Sequence, residues 1–176
     1  MAGAGIAALG LAAFAALRAR ARHPVGNRNV PQPAKSVDLQ MYLGRWHEIA
    51  RYDQSFERGC EAATADYSLR EDGKINVLNR CRKKNGRLKE AKGEARIVDA
   101  LTGAKLKVRF FGPFCGDYWI LDRADDYGWS IVGEPSGRYL WLLAREPHLS
   151  EDQLGALVSR VSRMGYDPSM LVFDGR

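Results

Sequence analysis

Residues 104–111 read Ala104-Lys105-Leu106-Lys107-Val108-Arg109-Phe110-Phe111. A period of two places Ala104, Leu106, Val108 and Phe110 on one face of a strand and Lys105, Lys107 and Arg109 on the other. One face is dry and one is wet, as in an antiparallel sheet that wraps a core. Similar short runs lie on both sides of it, at residues 46–52, 62–69, 74–81 and 88–98 before, and at 117–122, 128–133 and 138–145 after. The connections carry turn chemistry: Glu71-Asp72-Gly73 and Asn85-Gly86 each end in a glycine able to take the positive φ of a tight hairpin. Eight runs joined by short connections predict an all-β fold, an eight-stranded antiparallel up-and-down β-barrel.

The last of these runs breaks the alternation. Tyr139, Leu140, Trp141, Leu142 and Leu143 are apolar on both faces, so the outer face of that strand needs a cover. The next segment supplies it. Ser150 and Gln153 form a capping box, Leu154, Leu157, Val158, Val161 and Met164 recur at helical spacing, and Gly165 provides a stop. The expectation is a C-terminal α-helix packed on the outside of the barrel, with residues 170–173 adding a short edge strand. The chain divides into residues 1–22, a signal-like or membrane-anchor segment; residues 23–40, a proline-containing linker; and residues 41–176, the barrel domain.

The formal net charge is +6. Its location decides its meaning. Residues 1–40 hold Arg18, Arg20, Arg22, Arg28 and Lys35 against Asp38 alone, whereas residues 41–176 hold 22 basic and 20 acidic side chains. A nearly balanced folded part needs no nucleic acid as partner, and the basic excess beside an apolar segment favours a membrane surface. Residues 2–17 are apolar without a break, short for a span of about 20 residues but fitting a signal-peptide hydrophobic region. The arginines follow this run rather than precede it, a polarity that by the positive-inside rule holds the next domain in the cytoplasm. Small-residue patterns at Ala13-Phe14-Ala15 and Ala19-Arg20-Ala21 fit cleavage. The segment is read as a signal or uncleaved anchor of a membrane-associated or periplasmic protein.

The segment Gly44-Arg45-Trp46-His47-Glu48-Ile49-Ala50-Arg51 resembles the first motif of the lipocalins. The likeness continues through Phe56-Glu57-Arg58-Gly59, Thr64-Ala65-Asp66-Tyr67-Ser68-Leu69, Asp72-Gly73, Phe110-Phe111-Gly112-Pro113-Phe114 and Tyr139-Leu140-Trp141-Leu142-Leu143-Ala144-Arg145, covering residues 42–173. In order and spacing these pieces are similar to the bacterial lipocalin group, itself similar to apolipoprotein D. The resemblance implies a carrier rather than an enzyme, holding a fatty acid, lysophospholipid or similar small lipid in its lumen and linked to membrane lipid maintenance, as a monomer or weak homodimer. It also implies a structural motif of Gly44, Trp46 and Arg145, in which Trp46 closes one end of the barrel and Arg145 packs across its ring. His47 departs from the motif, which usually has an aromatic there. No cysteine precedes Cys60, so the N-terminal acylation common in the bacterial members is not carried over.

Strand parity nominates Tyr67, Val77, Leu106, Val108, Phe110, Tyr139 and Trp141 as the lining of a dry, aromatic-rich lumen. No metal or cofactor is expected: His23, His47 and His148 lack metal-site spacing, and no nucleophile elbow, P-loop or dinucleotide fingerprint occurs. The alternative enzyme reading rests on Cys115, since a few lipocalins are isomerases with a lumen thiol. A disulfide is expected between Cys60 and Cys81, which bracket the hairpin around Glu71-Asp72-Gly73. Their parities differ, so a bulge near Gly59 is needed to align them. The rival pairing of Cys60 with Cys115 has no hairpin to hold it. Such a bridge implies an oxidising compartment and supports export. The basic hairpin over residues 82–96 reads either as a solvated, edge-protecting charge or as a surface that attracts anionic headgroups.

Overall fold

The computed structural model describes residues 24–54, 59–110 and 112–174. The N-terminal segment, residues 1–22, and Phe56-Glu57-Arg58 lie outside them. The chain forms a closed, eight-stranded antiparallel barrel, with β1 (Gly44–Tyr52), β2 (Cys60–Leu69), β3 (Ile75–Lys83), β4 (Leu88–Ile97), β5 (Lys105–Arg109), β6 (Gly116–Arg123), β7 (Trp129–Gly133) and β8 (Leu140–Ala144) in meander order. Two short elements flank it: α1 (Leu39–Tyr42) before β1, and β9 (Leu171–Phe173) at the C-terminus. Between β8 and β9 runs α2 (Glu151–Arg163). The fifth and eighth strands are shorter than their apolar runs suggest, leaving Phe110 just past β5 and Tyr139 just before β8.

Closure falls on β1, which serves three partners. Its first half pairs with β2 (Gly44↔Tyr67 to His47↔Thr64), its centre with β8 (His47↔Ala144 to Arg51↔Trp141), and its end leaves β2 for β9 (Ala50↔Phe173 to Tyr52↔Leu171). A register shift between Glu48 and Ala50 permits the change of partner.

Two apolar clusters result, one on each side of the wall. The outer one joins Leu140, Leu142 and Ala144 of β8 to Leu154, Leu157 and Val161 of α2. The helix begins at Ser150, whose hydroxyl accepts from the Gln153 amide while the Gln153 side chain accepts from the Ser150 N–H. It ends at Gly165 (φ 85°), with the Tyr166 N–H returning to the Val161 carbonyl. The doubly apolar β8 thus has its cover. The inner cluster holds Trp46, Ile75, Val77, Leu106, Ile120, Val132 and Leu143 and fills the barrel's base.

Residues 24–37 form no regular element, yet they are bound to the barrel wall. Gly26 and Asn27 both donate to the Gly137 carbonyl, the Asn27 amide donates to the Met164 carbonyl at 2.8 Å, Ala34 donates to Leu121, and Val37 donates to Thr102. Gly137 has φ 65°, and a Cβ there would lie 1.8 Å from the Asn27 carbonyl oxygen, so this crossing requires glycine.

Cys60 and Cys81 are joined by a disulfide, with Cα atoms 5.5 Å apart. The parity mismatch is absorbed by a register shift between Cys60 and Ala62, which puts Cys60 opposite Lys83 and Ala63 opposite Cys81. The bridge closes a 21-residue separation. Replacing both cysteines with alanine is expected to lower the unfolding free energy by about 3 kcal/mol with the barrel retained, measured by denaturant titration.

The closed end is held by one guanidinium. Arg145 lies 3.9 Å from the Trp46 ring centroid, while its Nη1 donates to the Arg45 carbonyl and its Nη2 to the carbonyls of Met41 and Leu43. Trp46 is wholly buried and donates its indole N–H to the Tyr42 carbonyl at 2.9 Å. One side chain therefore ties α1, the start of β1 and the end of β8 together. Arg145→Ala removes the ring contact and leaves three carbonyls to find water, a loss of about 2–3 kcal/mol. A melting point lower by roughly 4–10 °C is expected. An unchanged melting point would remove the structural role.

Candidate functional site: the barrel lumen

A direct cross-strand neighbour shares its partner's face, so the register assigns the inner wall. Val77 and Leu106 are buried in the inner cluster; Tyr67, Val108, Phe110 and Trp141 are partly buried and pack against it. Phe110 reaches across the wall because Gly93 has no side chain: a Cβ there would meet the Phe110 ring at 2.8 Å and the Arg109 carbonyl at 2.6 Å. Tyr139 sits apart from this cluster, at the β7–β8 connection, with its ring stacked on Trp141 at 6.1 Å. Six of the seven residues nominated by parity come together, and the seventh marks the rim. Cys115 lies exposed in the β5–β6 connection at the open end of the barrel.

The base of the lumen departs from the expected dry pocket. A chain of hydroxyls crosses it, Ser130 Oγ to Tyr42 Oη at 3.1 Å, Tyr42 Oη to Tyr118 Oη at 2.9 Å, and Tyr118 Oη to Tyr67 Oη at 3.0 Å. Each hydroxyl is both donor and acceptor, so the chain offsets the desolvation that isolated phenols would suffer. The rings leave a cavity of about 10 Å³ among Tyr42, Tyr67, Ile75, Leu106, Tyr118 and Ile120. That is room for about one water, so the phenols form a floor.

A second polar feature lies on the inner wall near the β1 register shift. Glu48 pairs across Leu143 and Arg51 across Trp141, both inward positions. Arg51, 3 % exposed, donates from Nη1 to Glu48 at 2.8 Å and to Asp174 at 2.6 Å, and Asp174 also accepts from the Ala63 N–H. Burial pushes the Asp174 carboxyl above its usual range, with Arg51 opposing. Sequence parity missed Arg51 because the register shift turns an apparently outward position inward. Tyr118 was legible, since it shares parity with buried Ile120; Tyr42 was not, because α1 is a single turn.

The phenols give the floor an alkaline limit. Burial raises Tyr42 from the usual 10.0 to about 12, and raises Tyr118 well above 10.0, helped by its neighbours Tyr42 and Tyr67. A group raised in the folded state stabilises it fully below the unfolded value and loses that contribution as pH climbs through the folded one. Stability should therefore fall between pH 10 and 12, by about 2–3 kcal/mol for Tyr42 alone. Phenolate absorbance followed with circular dichroism tests this. Ionisation of all seven tyrosines near pH 10 with the fold intact would contradict a buried floor.

Comparisons with known proteins agree with this architecture. The profile of the lipocalin-like domain matches residues 37–174. The chain is 42% identical over 145 residues to the outer membrane lipoprotein Blc of Vibrio cholerae, covering 81% of this chain and 84% of that protein. It is 35% identical over 147 residues to apolipoprotein D of Mus musculus, covering 78% and 76%. Among solved structures, insecticyanin from the tobacco hornworm Manduca sexta superposes with a TM-score of 0.69 at 21% identity, covering 86% of this chain and 87% of that one. The chain belongs to the lipocalin family.

Proposed function

We propose that this lipocalin carries or stores one small lipid, a fatty acid, a lysophospholipid or a molecule of that kind, with its acyl chain along the inner wall above the tyrosine floor. The carrying observation is an apolar inner surface on which Val108, Phe110 and Trp141 are partly buried, floored by Tyr67, Val77 and Leu106 and fringed by Tyr139. Each buried methylene contributes about 0.8 kcal/mol, so an acyl chain gains affinity without many polar contacts. The wall residues Glu48 and Arg51 are committed to each other and to Asp174, which leaves the apolar stripe as the main contact surface. Binding rather than turnover is the reading, because the one free thiol, Cys115, is exposed at the rim.

Export fits the same reading. The Cys60–Cys81 bridge suits an oxidising compartment, and the Vibrio cholerae relative is named an outer membrane lipoprotein. A membrane-associated or periplasmic carrier is placed to serve membrane lipid maintenance. Native mass spectrometry of protein from its own host, followed by delipidation and titration with a fluorescent fatty acid, tests the assignment. Trp141→Ala should weaken uptake about tenfold, the equivalent of about 1.4 kcal/mol, with the fold intact. A lumen that neither retains nor takes up fatty acid or lysophospholipid sinks the proposal.

A further inference from the structure

The distribution of unpaired charge points to a second surface, separate from the lumen. Along the barrel wall most cations are matched, Arg45 with Asp66, Arg80 with Asp66 and Glu90, Arg70 and Lys74 with Asp72 and Glu94, Lys107 with Asp117, while Lys105 lies over the Trp119 ring and, among the described residues, Arg96 alone on β4 near the closed end makes no ion pair. The β3–β4 hairpin differs. Residues 82–92 hold Arg82, Lys83, Lys84, Arg87, Lys89 and Lys92 against Glu90, a net +5, whereas residues 41–176 as a whole are +2, which leaves the rest of the barrel at −3. Glu90 is already engaged by Arg80 at 2.9 Å. Among the described residues, Arg82, Lys84, Arg87 and Lys92 make no ion pair.

Geometry sets this charge beyond the mouth. The β3–β4 ladder runs from Ile75↔Ala95 out to Arg82↔Leu88, but β5 joins β4 only from Glu94↔Arg109 inward. Six residues of β4 therefore run past its β5 ladder, about 20 Å of hairpin. The tip encloses an open groove of about 730 Å³ lined by Lys83, Lys84, Arg87, Leu88 and Lys89. Leu88 is 56% exposed, and at the same end of the barrel Phe114 in the β5–β6 connection is 55% exposed. The described chain also begins at this end. Gly26 and Asn27 are bonded to Gly137 in the β7–β8 connection, and the apolar residues 2–17 precede them in sequence.

We propose that the hairpin tip, with Phe114 at the same end of the barrel, docks the open end of the barrel on an anionic phospholipid bilayer. Cations flanking exposed aliphatic and aromatic side chains suit the bilayer interface, where phosphates meet the former and the acyl boundary accepts the latter. A soluble polyanion would satisfy the cations and leave Leu88 and Phe114 in water. The mouth then faces the bilayer, and a lipid can pass between membrane and lumen without crossing bulk solvent.

Cosedimentation of the full chain with vesicles of phosphatidylcholine alone, and of phosphatidylcholine with phosphatidylglycerol, tests this. Lys84→Glu with Arg87→Glu should weaken binding to the anionic vesicles by about fivefold or more for each cation lost, with little change on the neutral ones. The matched control is Arg96→Glu with Ala100→Glu and Leu101→Glu, which makes the same charge change of −4 at exposed positions towards the closed end; it should bind as the parent does. Leu88→Asp should weaken binding to both vesicle types. All these positions are exposed, so unchanged melting points verify the fold. Equal loss in the control, or undiminished anionic binding in the hairpin variant, would overturn the proposal. No lumen ligand enters the assay, so its failure leaves the carrier reading standing.

Discussion

A barrel wall has no free edge, and in this chain the burden of closing it falls on one nine-residue strand. β1 must pair with β8 along its centre, with β2 at its start and with β9 at its end. A regular strand would keep its side chains in strict alternation throughout. The register shift between Glu48 and Ala50 breaks that alternation, and much of the interior follows from it. Trp46 and Glu48 point inward, Ala50 and Tyr52 outward to the helix-covered cluster, and Arg51 inward again. The place where β1 parts from β2 would expose unpaired backbone on the seam. Asp174 fills it, donating its own N–H to the Ile49 carbonyl and accepting from the Ala63 N–H. Its carboxylate brings a buried charge, and Arg51 compensates it. The ionic cluster is thus a consequence of closure, and removing one partner alone would leave an uncompensated charge behind.

The two ends of the barrel are built on different physics. At the closed end, directional contacts dominate: Arg145 across Trp46, three carbonyls on one guanidinium, and the hydroxyl chain beneath. These fix the depth of the lumen, because the phenols cannot yield space without losing their mutual hydrogen bonds. Above the floor the wall offers mainly apolar surface, which is non-directional. The floor is therefore specified more sharply than the wall above it.

Much of this was legible before any coordinates, and particular residues show why. The alternation through residues 104–110 holds in the structure because one face meets the core and the other meets water. β8 could be read as sandwiched, since only burial on both sides explains Tyr139 to Leu143, and the capped segment behind it was the nearest cover. The disulfide was legible together with its cost, a bulge at Cys60. What escaped had no periodic signal. α1 is one turn, too short for a pattern of 3.6, so Tyr42 was invisible as floor. Arg51 was hidden by a register shift that depends on which strands β1 meets, a tertiary fact. The packing of residues 24–37 on the wall was hidden too, because proline-containing sequence looks alike whether free or docked.

Folding does not dictate the charge pattern of the surface. Exposed ion pairs contribute about 0–1 kcal/mol each, so stability alone dictates neither the matched cations of the wall nor the unmatched ones of the hairpin. Both arrangements fold. What they differ in is the field they project: matched pairs cancel within a few ångströms, while like charges on a projecting tip add and reach about a Debye length into solvent. The hairpin's charge also lies where folding asks least of it, on six β4 residues beyond the β5 ladder. A long exposed edge invites pairing with other chains, and Lys89, Glu90 and Lys92 discourage that. Lys84 and Arg87, at the turn itself, protect no such edge, and they are the cations on which the proposed bilayer contact rests.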